Sequence, residues 1–203
     1  MNKIRVRNNN RINENVLKAI DKLRVNMEFA APDKKVIAVT SAADREGKSF
    51  VAYQLACMQA VHEKKVLLMH LDFRKTAANK RKSLEGVAQV VWESTQINDV
   101  MYKTDIRNMY MIFAGTDDTK ASDVVESQRF EKLINWLRTK FDYIIIDMAT
   151  IGKSSDALVM CSKCDGALMV MESGAVSYKK AQNAVEQIKL TGCEVIGAVI
   201  NNR

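Results

Sequence analysis

The chain has 203 residues, 47% of them apolar, a single proline and a formal net charge of +7. That length and composition suit one compact domain with its own core and exclude disordered and fibrous classes. No apolar run reaches the roughly 18 residues of a membrane-crossing helix, and the N-terminal "MNKIRVRNNNRINEN" lacks the apolar stretch of a secretion signal, so a cytosolic location is expected.

In chain order, residues 1–35 come first, with nine Lys/Arg against four Asp/Glu. Val16, Leu17, Ile20, Leu23 and Met27 form an amphipathic stripe there, closed by "AAPDKK". This predicts a helix packed on the domain edge or on a neighbouring subunit. From residue 36 onward strand and helix patterns alternate. "VIAVT" (36–40) and "VLLMHL" (66–71) are short continuous apolar runs of the kind buried on both faces of a parallel sheet, and "MYMIF" (109–113), "YIIID" (143–147), "GALMVM" (166–171) and "EVIGAVI" (194–200) continue the series. Between them Phe130, Leu133, Ile134 and Leu137, and later Ala181, Ala184, Val185 and Ile188, recur at helical spacing. The expected fold class is α/β: a doubly wound, mainly parallel sheet with helices on both faces and ligands at the carboxyl ends of the strands. The chain is expected to divide into an N-terminal helical segment, 1–35, and an α/β domain, 36–203.

The segment "SAADREGKSF" (41–50) follows the first predicted strand directly and opens the next helix, the setting of a phosphate-binding loop. In such a loop backbone N–H groups and a helix N-terminus cradle phosphate oxygens, a lysine reaches the terminal phosphates and a hydroxyl holds Mg²⁺. Gly47, Lys48 and Ser49 fill those roles. Ala42 stands where the motif has its first glycine, and Arg45 where a glycine would ease the turn. Carboxylates on neighbouring strand ends would complete a magnesium shell, and Asp72 and Asp147 are so placed; either alone also reads as a turn cap.

Four cysteines (Cys57, Cys161, Cys164, Cys193) and two histidines (His62, His70) offer too few partners for a metal cage. The pair Cys161 and Cys164 is expected to be structural, two small residues on a helix. The run "RKTAANKRK" (74–82) holds no acid and reads as a solvated helix face or as a contact for lipid, nucleic acid or an acidic protein.

The succession "AADREGKS" (42–49), "LLMHLDFR" (67–74) and "YIIIDMA" (143–149) resembles the three motifs of bacterial tyrosine kinases of the CpsD/CapB type, within the MinD- and ParA-like P-loop ATPases. The similarity extends over "KLRVNMEFA" (22–30), "AGTDDTKASDVVES" (114–127) and "SSDALVMCSKCDGALMV" (154–170), nearly the whole chain. It implies a kinase that passes phosphate from Mg-ATP to tyrosines. It also implies work at the cytoplasmic face of the membrane with a polysaccharide co-polymerase, in capsule or exopolysaccharide export. The implied nucleotide contacts are Ala43, Asp44, Arg45, Glu46, Gly47, Lys48, Ser49, Phe50 and Asn201. Lys48, Asp72 and His70 fall at catalytic positions, and Ser49, Asp72 and Asp147 at the metal.

Four departures bear on that expectation. The second motif of the family has two aspartates spaced D-x-D, and here the first is His70, which reads as a substitute base, a mark of lost activity or a buried histidine bonded to backbone. Met148, Ala149 and Thr150 replace the Thr-Pro-Pro that follows the third motif. No tyrosine follows Tyr178, so the tyrosine cluster implied by the resemblance is missing from this sequence. The family's ring-forming E-x-x-R-x-x-R aligns with Lys18, Asp21 and Arg24, where two of three charges are reversed, which opposes that homo-oligomer unless its partner surface has changed in step. A nucleotide-dependent switch without transfer therefore stands beside the kinase. A MinD- or ParA-like ATPase is a third reading, although Ala42 and Ala43 occupy the region where such proteins carry a second lysine.

Overall fold

The computed structural model describes residues 2–6, 12–73, 84–93, 95–115, 121–153 and 155–202. The basic run at 74–82 lies outside them, as does part of the 114–127 loop. Among the described residues one eight-stranded sheet is built from β1 (Asn2–Lys3), β2 (Val36–Ser41), β3 (Val66–Leu71), β4 (Tyr102–Lys103), β5 (Met109–Phe113), β6 (Tyr143–Met148), β7 (Gly166–Glu172) and β8 (Glu194–Asn201). Their order across the sheet is β1-β4-β5-β3-β6-β2-β7-β8. Every neighbouring pair is parallel except β4 with β5.

The continuous apolar runs are explained by burial on both faces. Along β2, Val36 and Ala38 point to one layer while Ile37 and Val39 point to the other, and β2 is buried at every position. The second layer is covered by α2 (Lys48–Val61), through Val51, Ala52, Leu55 and Ala56, and by Met27 of α1 (Glu14–Ala30). The first is covered by α3 (Val87–Trp92), α5 (Ala121–Glu126), α6 (Gln128–Arg138), α7 (Ser155–Cys161) and α8 (Tyr178–Leu190), with the short α4 (Ile97–Val100) beside α3. No helix of the described residues is long and apolar enough to cross a membrane.

The six predicted strands all form, and four run one residue further than their apolar runs. The two-residue β1 and β4 were not anticipated, because so short a bridge carries no periodic signal. Helix α1 packs on the domain edge, against α2 and β8, with Ile20 and Met27 buried and Leu23 partly so. Leu17, expected in that stripe, is exposed instead. The charges of this helix pair within it: Lys18 with Glu14, and Arg24 with Asp21 and Glu28.

The starts of the central strands are clasped by two aspartates. Asp165 Oδ2 accepts from the N–H groups of Lys35 and Val36 (2.9 and 2.8 Å) and from the Arg138 guanidinium (2.7 Å), while Asp142 Oδ2 accepts from Lys65 N–H (2.7 Å). Burial pushes the Asp165 carboxyl up, but the Arg138 hydrogen bond and the two backbone donors outweigh it and hold the group below its ordinary value.

The cysteine reading needs one correction. Cys161 ends α7, whereas Cys164 lies in the turn after it and not on the helix, its N–H donating to Cys161 O (2.9 Å). Both thiols are pushed up, Cys161 by its contact with Cys193 and then by burial, Cys164 by burial.

Candidate functional site

Of the eleven buried polar or charged residues among those described, seven (Thr40, Ser41, Glu46, Lys48, Asp72, Asp147 and Thr150) sit at or just beyond the carboxyl ends of β2, β3 and β6. Buried polar groups cost stability unless they are paired, so this concentration marks the region where the fold is committed to chemistry.

The loop from Ala42 to Gly47 joins β2 to α2. Gly47 caps the helix in the left-handed region (φ 90°), which favours glycine, and a Cβ there would lie 2.4 Å from Asn201 Nδ2 and push that side chain aside. Arg45 also has positive φ (66°), at the position where the sequence lacks an easing glycine. Lys48 follows Gly47 and is buried at the first helical position, with Ser49 and the half-exposed Phe50 beside it.

Glu46, expected among the nucleotide contacts, has its side chain engaged within the protein. Its carboxylate is buried and turned inward, accepting from Ala43 N–H (2.5 Å) and Glu172 N–H (3.3 Å), so the side chain braces the loop. Asn201 works on the same brace, donating from Nδ2 to Glu46 O (3.1 Å). Asp44 accepts from Thr150 Oγ1 (2.8 Å) and pairs with Lys153. Thr40 Oγ1 donates to Ala149 O (2.8 Å), and Ile151 N–H to Ser41 O (3.0 Å). The segment after β6 is thereby fastened to the loop without the Pro-Pro turn. Thr150, Lys153 and Glu172 are the residues that sequence reasoning missed; the replacement of Pro-Pro by a hydroxyl-bearing stretch was the available signal for Thr150.

His70, the penultimate residue of β3, stands between Phe113 on β5 and Asp147 on β6, as the strand register dictates. Its Nδ1 approaches Asp147 Oδ2 at 2.5 Å, and its ring meets Phe113 edge-on at 6.4 Å. The contact is a close approach rather than an aligned hydrogen bond: among the described residues neither Asp147 oxygen has a hydrogen-bond donor, and the residue is fully buried. His70 itself keeps a third of its side chain exposed, which removes the reading of it as a buried histidine bonded to backbone. Asp72 is buried just beyond the end of β3.

Magnesium takes hard oxygen ligands and keeps several waters, so it needs few protein groups. No cluster of three His, Cys, Asp or Glu able to cage a metal occurs among the described residues. The Ser49 hydroxyl, Asp72 and the Asp147 carboxylate, whose oxygens lack donors, nevertheless form an oxygen set of the right chemistry.

A family model described as AAA domain matches residues 34–192. The tyrosine-protein kinase CpsD of Streptococcus pneumoniae is 30% identical over 183 residues, covering 88% of this chain and 81% of that protein. The chain belongs to the CpsD-type tyrosine-protein kinase family. Tyrosine-protein kinase YwqD of Bacillus subtilis, another relative of this kind, is 27% identical, with 89% of this chain and 78% of that protein covered. In fold the chain is similar to the kinase domain of the Escherichia coli tyrosine kinase ETK (TM-score 0.84, 22% identity, 92% of this chain and 75% of that one). The Mg-ADP complex of the septum site-determining protein MinD from Pyrococcus horikoshii is a more distant likeness (TM-score 0.65, 18% identity, 82% and 70% covered). Membership of the CpsD type agrees with the resemblance seen in the three motifs, and the MinD likeness with the wider P-loop fold.

Proposed function

We propose that this chain binds Mg-ATP at the loop 42–49 and acts as an ATP-dependent protein-tyrosine kinase domain in capsule or exopolysaccharide synthesis. The observation that carries this reading is Lys48, buried directly after the left-handed Gly47 at the start of α2, in the loop that leaves β2 beside the end of β6, where Asp147 lies against His70 of β3. In it the loop from Ala43 to Ser49 surrounds the phosphates through N–H groups other than that of Ala43, which the Glu46 carboxylate holds, Lys48 meets the terminal oxygens, and Phe50 and Asn201 complete the surroundings. Ser49, Asp72 and Asp147 would hold magnesium, which when bound draws charge off the transferred phosphoryl group. Catalysis is then positioning and charge stabilisation, with Asp72 and His70 beside the incoming hydroxyl.

The wider setting belongs to the same proposal. A membrane polysaccharide co-polymerase is the expected activator and would recruit the chain to the inner face of the plasma membrane. Residues 1–35 form the segment available for contacts between copies, and 36–203 the nucleotide domain.

One observation favours a second reading. With His70 against Asp147, the carboxylate that supports transfer is already engaged, so nucleotide could order the loops near Gly115 and Gly152 and switch a partner without being consumed. Incubation with γ-labelled ATP, magnesium and a tyrosine-containing acceptor separates the two. Labelled phosphotyrosine, absent with Lys48→Ala, supports the kinase; no label, with partner affinity that differs between ATP and ADP, supports the switch. Neither signal would defeat both.

A further inference from the structure

A phenol that accepts a phosphoryl group has to bring its oxygen to about 3–3.5 Å from the γ-phosphorus, so an acceptor tyrosine must stand clear of the core. The chain has five tyrosines, all among the described residues. Four are committed to the fold. Tyr102 and Tyr143 are buried, the Tyr53 hydroxyl is closed to solvent, and Tyr110 is partly buried with its ring against Phe141. The fifth, Tyr178, is 82% exposed.

Its place in the fold is as particular as its exposure. β7 ends at Glu172, whose N–H donates to the Glu46 carboxylate of the phosphate loop, and Ser173 N–H donates to Asn201 O. The turn that follows leads through Val176, which packs on the core, to Ser177, whose side chain caps α8 by accepting from Lys180 N–H (3.4 Å). Tyr178 is the first residue of that helix. The phenol is therefore carried on a fixed helix start at the same end of the sheet as the nucleotide loop. The first turn of α8 contains no acid, and Lys179 and Lys180 stand exposed beside the tyrosine. A phosphate gained there adds a charge of about −1.5 to −2 next to two lysines and at the positive end of a helix, where it is favoured.

We infer that Tyr178 is a phosphorylation site of this chain, modified at the nucleotide site of a second copy. The inference rests on the kinase reading above and names an acceptor for it. The phenolic oxygen of Tyr178 attacks the γ-phosphorus of ATP, the bond from that phosphorus to the β–γ bridging oxygen breaks, ADP leaves with the electron pair, and the phenolic proton passes to water. Transfer runs between copies, because a phenol so exposed on a capped helix does not lie against the buried Lys48 of its own chain.

The test is incubation of the intact chain with γ-labelled ATP and magnesium, alone and with a copolymer of glutamate and tyrosine, followed by mapping of the label by mass spectrometry. The natural chain should carry phosphate on Tyr178, and Tyr178→Phe should lose it while labelling the copolymer at the natural rate, which also shows that the variant is folded. Lys48→Ala, inactive by itself, should gain phosphate on Tyr178 when mixed with Tyr178→Phe, since only transfer between copies places it there. Label on the copolymer with none on Tyr178 overturns the inference and leaves the kinase reading standing. Label on Tyr178 of the natural chain that never reaches Lys48→Ala in the mixture overturns transfer between copies. No label on chain or copolymer removes both the inference and the kinase reading.

Discussion

The two ends of the central strands carry the same residue type in opposite circumstances. At the end remote from the phosphate loop, Asp165 and Asp142 each take backbone N–H groups from the start of a neighbouring strand, and Asp165 takes the Arg138 guanidinium as well. At the loop end, Asp147 takes no hydrogen bond among the described residues and has His70 against it. A carboxylate whose lone pairs are filled holds the fold together; one left unfilled in the interior lowers stability and is available to a ligand. The comparison separates an aspartate kept for structure from one kept for chemistry, within one sheet.

The largest expected effect is on binding. Lys48→Ala should weaken ATP affinity by on the order of a hundredfold, because the ammonium that would meet the terminal phosphates is lost. Next, the contrast between the ends should appear in stability: Asp165→Ala is expected to lower unfolding free energy by about 1–3 kcal/mol. Asp147→Asn should cost less stability than Asp165→Ala, since Asp147 receives no hydrogen bond among the described residues. Chemical denaturation of both variants checks this, and equal losses would erase the distinction.

A third effect is a pH dependence. Because the folded Asp165 carboxyl lies below its ordinary value, its stabilisation is complete above the unfolded value, about pH 3.9, and is lost as pH falls through the folded one. Acid unfolding of Asp165→Ala should therefore show a shallower fall below about pH 4 than the natural chain. The smallest effect belongs to Lys153→Ala. Its pair with Asp44 is about half exposed at both ends, so its loss should change stability by less than about 1 kcal/mol.

Much of this architecture was legible in the sequence for identifiable reasons. Strands buried on both faces write themselves as unbroken apolar runs, and "VLLMHL" and "MYMIF" match β3 and β5 residue for residue. The loop was legible because a glycine, lysine and serine between such a strand and a helix satisfy a backbone geometry as well as a pattern. Even the strain at Arg45 could be read, from the glycine that is not there. What stayed hidden depends on contacts distant in sequence. The inward turn of Glu46 requires the N–H of Glu172, and the fastening of Asp44 requires Thr150 and Lys153, more than a hundred residues away. The meeting of His70 with Asp147 needs the order of β3 and β6 in the sheet, which periodicity does not encode.

The most direct test of the account is a calorimetric titration of the purified, folded chain with ATP beside the same titration of Lys48→Ala. One nucleotide taken up per chain, with the heat lost in the variant, is the result the account predicts. A folded chain that takes up neither adenine nor guanine triphosphate would contradict it.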